Sequence, residues 1–203
     1  MSDTSYLDTM AVDKWLSANL SGFSGPVEAR KFADGQSNPT FALKAASGDY
    51  VLRRKPPGIL LKSAHAVDRE FRVQKALADT DVPVAKMHVL CEDHAVIGST
   101  FYVMQMIDGI NFDNPSLPEL SFDERNTIMN EMNRVLAGIH SVDIIKVGLS
   151  NFGPDGNYYQ RQTDRWTKQY RATETETIPQ MDELIAWLHD HIPSDDGQRT
   201  LVH

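Results

Sequence analysis

The sequence predicts an α+β protein in which an antiparallel sheet carries one inserted helix and a mainly helical half follows. Three observations point there. Strand-like runs at 27–33, 39–45 and 50–55 precede a helical period at 64–78, and two further runs, "VAKMHVLCED" and "STFYVMQMI", follow it. That order lacks the strand–helix–strand alternation of a parallel sheet. After "DGINFDNPSLPELS" (108–121) bulky alternation ends and helical spacing takes over. The expected division is therefore a first lobe over 1–107 and the first part of a helical lobe over 108–203.

Each element has its own local reason. Met10, Trp15, Leu16 and Leu20 are roughly at helical spacing, so 8–20 reads as an amphipathic helix, and "SGFSGP" breaks it. "ASGD" joins the second strand to the third as a hairpin signal. "KPPG" ends the third strand, because successive prolines have no N–H for a ladder. In the next helix Val67, Phe71, Gln74 and Leu77 share a face, with Arg69, Arg72 and Lys75 outward. A polar turn separates the last two strands. Ser121 and Glu124 have the spacing of a capping box, and Ile128, Met132, Val135, Leu136 and Ile139 form the expected buried stripe of the helix that follows. Helices at 160–171 and 180–191 come next, the second with Met181, Leu184, Ile185 and Leu188 on one face. "RTLVH" reads as the start of another strand.

Composition removes several functions. A net charge of −8 with no basic tract argues against a nucleic-acid partner. No apolar run is long enough to span a bilayer, and the acidic N-terminus lacks the pattern of a signal peptide, so no membrane partner is expected. Cys91 is the lone cysteine and reads as a plain buried or semi-buried thiol in a reducing, cytoplasmic setting. The histidines form no metal pair: His189 and His191 fall on different helix faces, His65, His88 and His94 read as surface or edge residues, and His140 reads as a packing residue.

Three stretches can carry chemistry. "DGQSNPT" crowds Gly35, Gln36, Ser37 and Asn38 into one loop between two strands. Either Asp34-Gly35 makes a turn and the rest is solvated, or the loop faces an oxygen-rich ligand. In "YVLRR", alternation puts Val51 and Arg53 on one sheet face and Leu52 and Arg54 on the other. Glu70 on the following helix lies where it can pair with Arg53; the pair is either a surface contact or a clamp that presents a cation to polyphosphate. In "FYVMQMIDG", Met104 suits an apolar pocket, and the backbone of Gln105 and Ile107 is expected to be free to meet a purine edge.

Together, "FADGQSNPTFAL", "YVLRRKPPG", "DREFRVQKAL", "VPVAKM", "IGSTFYVMQMIDG" and "LAGIHSVD" resemble the aminoglycoside-phosphotransferase-like kinases. The closer likeness is to the branch that occurs as a kinase-like domain joined to acyl-CoA dehydrogenases. It covers the chain from about residue 26 onward. The resemblance implies a protein-kinase-like two-lobed fold and ATP-dependent phosphorylation of a small-molecule hydroxyl, with ATP and Mg2+ as cofactors. It implies phosphate contacts from Gly35, Gln36, Ser37 and Asn38, a phosphate cation at Arg53 held by Glu70, and an adenine pocket at Val51, Met104, Gln105 and Ile107. His203 would open the catalytic loop, with the base and metal ligands beyond it, so the helical lobe reads as truncated. The acceptor is either a hydroxyacyl compound or an aminoglycoside. An uncovered face of the helical lobe would favour self-association. A non-catalytic nucleotide-binding or interaction module is the competing expectation.

Overall fold

Helix α1 (Thr9–Asn19) starts where Asp8 can cap it, its side chain accepting from the Ala11 N–H at 2.9 Å. A computed structural model describes residues 7–33, 38–56 and 65–202. The five strands are β1 (Glu28–Lys31), β2 (Thr40–Ala45), β3 (Gly48–Arg54), β4 (Met87–Cys91) and β5 (Phe101–Gln105), ordered β1-β2-β3-β5-β4, and every neighbouring pair is antiparallel. Helix α2 (Val67–Ala76) lies between β3 and β4 in sequence. The β2–β3 hairpin closes tightly, with Ala45 opposite Gly48; Gly48 has φ +132°, which a residue with a side chain resists.

Alternation gives the sheet two different faces. Leu43, Leu52, Phe101 and Val103 join Val12 and Leu16 of α1 in one core, where the Trp15 ring meets Phe101 edge-on at 5.2 Å. Tyr102 and Met87 face the other way and pack with Val67 and Phe71 of α2. A bulge between Met87 and Val89 shifts the phase of β4, so Met87 serves the α2 side while Cys91 serves the α1 side. The expected α1 stripe changes in one detail. Met10 is 83% exposed, and Val12 takes its place, because Val12 and Leu16 are one turn apart and meet the sheet together.

The polar turn before β5 is a short helix, α3 (His94–Ile97), capped by Asp93 and ended by Gly98 at φ +79°. Arg54 braces it. Its guanidinium is buried on the α1 side and donates to Ser99 Oγ at 3.1 Å and to the Ile97 carbonyl at 3.3 Å.

Helix α4 (Phe122–His140) carries the expected capping box: Ser121 N–H donates to Glu124 Oε2 at 2.8 Å and Glu124 N–H to Ser121 Oγ at 3.3 Å. Its apolar stripe is not buried, contrary to expectation. Met132 is 60% exposed, and Ile128, Val135, Leu136 and Ile139 line an open groove of about 640 Å3. His140 is likewise exposed at the helix end. Periodicity reports which face is apolar, not whether anything covers it.

By packing, residues up to His140 form one unit and Ser141–Val202 a second. In the second unit, α5 (Tyr158–Thr173) is capped by Asn157, whose amide also donates to the Pro193 carbonyl at 2.7 Å. It packs beside α6 (Pro179–Asp190), with Trp166, Tyr170, Met181 and Leu184 lining the seam, and Arg171 bridges to Asp182. The strand expected from Arg199 does not form among the described residues. Arg199 instead folds back on Asp195, four residues earlier, at 2.9 Å.

Leu52→Ala should lower stability by about 2–5 kcal/mol, because Leu52 is fully buried between the sheet and α1. Met132→Gln should change it by less than about 0.5 kcal/mol. Urea unfolding of both variants checks the contrast; equal losses would contradict the two environments described.

Candidate active site

Among the described residues, the sheet face that meets α2 is covered over only part of its width. Register places Thr40 opposite Arg53, Ala42 opposite Val51, Val51 opposite Met104 and Arg53 opposite Tyr102, and directly opposed residues share a face. Helix α2 shields the β4–β5 end of it. Toward β1 the same face opens into a cavity of about 360 Å3, lined by Arg30, Ala42, Lys44, Asp49 and Met106 among others.

Arg53 stands between the covered and open halves. Its Nε donates to Glu70 Oε2 at 2.8 Å, and its Nη1 donates to Thr40 Oγ1 at 3.0 Å. The Thr40 hydroxyl in turn donates to the Asn38 carbonyl at 3.0 Å. Among the described residues Nη2 makes no hydrogen bond. The pair is neither a loose surface contact nor fully dry, with side-chain exposures of 29% for Arg53 and 34% for Glu70. A second ion pair runs alongside: Lys55 Nζ meets Asp68 Oδ1 at 2.9 Å. Burial pushes the Asp68 carboxyl up, but the Lys55 hydrogen bond, a backbone hydrogen bond and the charges of Lys55 and Arg69 outweigh it and hold the group below its ordinary value.

Glu70 has two more donors. Tyr102 Oη donates to Oε2 at 3.2 Å, and Asn38 Nδ2 donates to Oε1 at 3.0 Å. Burial first, and the Glu70 charge second, push the Tyr102 phenol up to about 12, so it stays a donor at any ordinary pH. The Asn38 side chain is 3% exposed, and its Oδ1 meets His65 Nδ1 at 2.9 Å. Both ends of that amide are thus used inside the protein.

The remaining predicted residues are distributed as follows. Val51 is buried and Met104 half-buried on the Arg53 face. Gln105 ends β5, and Ile107 lies beyond it, 59% exposed. The expectation of a free Gln105 backbone holds only in part: its N–H donates to the Lys86 carbonyl at 2.9 Å. The Lys86 N–H returns to the Gln105 side-chain Oε1 at 3.3 Å rather than to the Gln105 carbonyl. Gly35, Gln36, Ser37 and His203 lie outside the described residues. No group of three or more His, Cys, Asp or Glu among the described residues fits a metal ion. Sequence reasoning missed Thr40, Tyr102 and His65. The first two were within reach of strand register; nothing local signalled His65.

The five-stranded sheet, the covering helix α2 and the Arg53–Glu70 pair make a kinase-like arrangement, and comparison with known proteins points the same way. The model of the Phosphotransferase enzyme family matches residues 28–203, and the chain belongs to that family. Acyl-CoA dehydrogenase family member 10 of Mus musculus is 49% identical over 194 residues, covering 95% of this chain and 18% of that protein. Acyl-CoA dehydrogenase family member 11 of Mus musculus is 42% identical over 200 residues, covering 97% of this chain and 26% of that protein. A crystal structure from Ralstonia eutropha, provisionally named an aminoglycoside phosphotransferase, superposes with a TM-score of 0.76 at 49% identity, over 94% of this chain and 55% of that one. The chain thus spans 18% and 26% of the length of these two relatives, and the resemblance to the dehydrogenase-linked branch is established.

Tyr102 gives a pH test. Its folded-state pKa lies above the ordinary value of about 10, so the unfolded chain loses this proton first. Its contribution to stability is complete below pH ~10 and is lost as pH rises toward about 12. Tyr102→Phe should remove that part of the alkaline loss and should itself cost about 1 kcal/mol at pH 7. Denaturant melts of both proteins between pH 9 and 12 check it; parallel curves would contradict it.

Proposed function

We propose that this chain supplies the nucleotide-binding part of an ATP-dependent small-molecule O-phosphotransferase. The observation that carries the reading is the Arg53 guanidinium braced by Glu70 and Thr40 on the sheet face that meets α2. Glu70 and Thr40 take the Nε and Nη1 donors of the guanidinium, and Nη2 makes no hydrogen bond among the described residues. A planar cation fixed this way suits a phosphate oxygen without reorganising.

The face beside it fits the rest of a nucleotide. Ala42 and Met104 offer small and adaptable apolar surface for a base. The Gln105 carbonyl, bypassed by Lys86, is the acceptor we assign to the exocyclic amine. Ile107 would donate its N–H just beyond the strand. Lys44 and Arg30 at the cavity rim suit further anionic oxygens. We place the lobe boundary at residue 108, where β5 has ended and the polar linker begins.

In the transfer itself the acceptor oxygen bonds to the γ-phosphorus and loses its proton to a base. The bond from that phosphorus to the β–γ bridging oxygen breaks, and ADP leaves. Arg53 offsets negative charge on the phosphate oxygens throughout, which is an effect of positioning more than of covalent chemistry. Magnesium would add further neutralisation, but no described cluster fits it and no step is assigned through it. For the acceptor we propose a hydroxyacyl compound rather than an aminoglycoside, because the relatives carry acyl-CoA dehydrogenase names.

Competition titration with a fluorescent ATP analogue tests the binding half. Arg53→Ala should weaken ATP roughly 10- to 100-fold, the worth of one or two charge-assisted hydrogen bonds. Equal affinity would overturn the assignment. For the acceptor, labelled γ-phosphate should appear on a hydroxyacyl-CoA and not on kanamycin; the reverse result would reject our choice.

A further inference from the structure

We propose that Asn38 and His65 form a positioning relay that holds Glu70 against Arg53, and that Asn38 acts on nucleotide binding through this relay rather than by touching phosphate. The proposal rests on the functional reading above for its effect on nucleotide, but the relay itself stands on geometry.

The hydrogen-bond directions are determined one by one. An ionised carboxylate only accepts, so the Asn38 group facing Glu70 Oε1 at 3.0 Å is its NH2. The opposite end is then Oδ1, which also only accepts. His65 Nδ1, 2.9 Å away, must therefore carry a proton. Glu70 thus dictates the amide orientation, and the amide dictates the imidazole tautomer. The chain of direction runs without a break from His65 through Asn38 and Glu70 to Arg53.

Two further features show that the relay is built rather than incidental. Asn38 is 3% exposed, so either end left unbonded would be a buried polar atom without a partner, a loss worth avoiding. His65 sits at φ +59°, a left-handed conformation uncommon for a residue with a side chain. That backbone is held just before α2, whose first turns carry Glu70.

The relay also explains why Glu70 is aimed with both oxygens. Oε2 takes Arg53 and Tyr102, while Oε1 takes Asn38. With Oε1 unheld, the carboxylate is fixed through Oε2 alone and can pivot about it, which loosens the bracing of Arg53. Asparagine is specific here. An aspartate would put a second acceptor against Oε1 and repel it.

Two measurements on the 203-residue chain decide the matter. The first uses no nucleotide. In NMR, the Arg53 Nε–H should exchange with water at least tenfold faster in Asn38→Ala and in His65→Ala than in wild type. It should stay slow in His65→Asn, whose amide can donate from a similar place and tolerates the left-handed backbone. The second is ATP-analogue affinity. Asn38→Asp and Glu70→Gln should each weaken it. The double variant should recover at least tenfold relative to the product of the two losses, because the amide introduced on α2 then donates to the carboxylate introduced before β2. A merely structural role would lower melting temperature in both without such coupling. Unchanged Arg53 exchange in Asn38→Ala would overturn the relay. Additive losses in the double variant would overturn its role in binding. A wild-type chain that binds no ATP analogue yet shows the exchange pattern would reject the nucleotide reading while the relay stands.

Discussion

One carboxylate organises the functional face of this molecule. Glu70 receives donors from β3, from β5 and from the residue that leads into β2, while it rides on α2. The apolar contacts of Val67 and Phe71 with Tyr102 and Met87 hold α2 against the sheet. Burial of this kind contributes roughly 1.5–3 kcal/mol per large side chain but has no direction. Hydrogen bonds to a charged group contribute about as much each, and they are directional. Packing therefore decides that α2 lies on this face, and Glu70 decides the rotation and height at which it lies.

The same sheet shows how adjacent residues of one type come to opposite fates. Arg53 and Arg54 are neighbours, yet one turns to α2 and the other to the α1 side. Arg54 is buried among neutral acceptors, and that burial lowers its pKa from the ordinary arginine value. It serves as a brace for the α3 end. Arg53 meets a carboxylate and the Thr40 hydroxyl, and its Nη2 makes no hydrogen bond among the described residues. The difference is set by the pleat alone. A one-residue slip of β3 against β5 would exchange their environments and turn Arg53 into the α1-side core.

The open half of the face has a cost that the fold manages by charge. Residues at the β1 edge, Glu28, Arg30 and Lys31, keep a four-residue strand from attracting another chain. On α4 the apolar stripe stays open and shows no such management: Met132 and Met129 are exposed there. None of the described helices is long and apolar enough to cross a membrane.

Sequence by itself determined the order of the five strands and of the helices other than α3, the hairpin at Ala45–Gly48, the capping box at Ser121 and Glu124, and which of two arginines shares a face with Val51. All of these depend on residues a few positions apart, where period and turn chemistry act directly. Pairing Arg53 with Glu70 needed one step more, a helix known to lie beside the sheet. Tertiary structure alone decided the rest. Asn38 meets Glu70 across 32 positions and His65 across 27, and neither meeting leaves a trace in local pattern. The exposure of the α4 stripe, the use of the Gln105 N–H by Lys86 and the absence of a strand at Arg199 are of the same kind. A hydrogen bond or a covered face belongs to two surfaces at once, and a local sequence pattern describes only one of them.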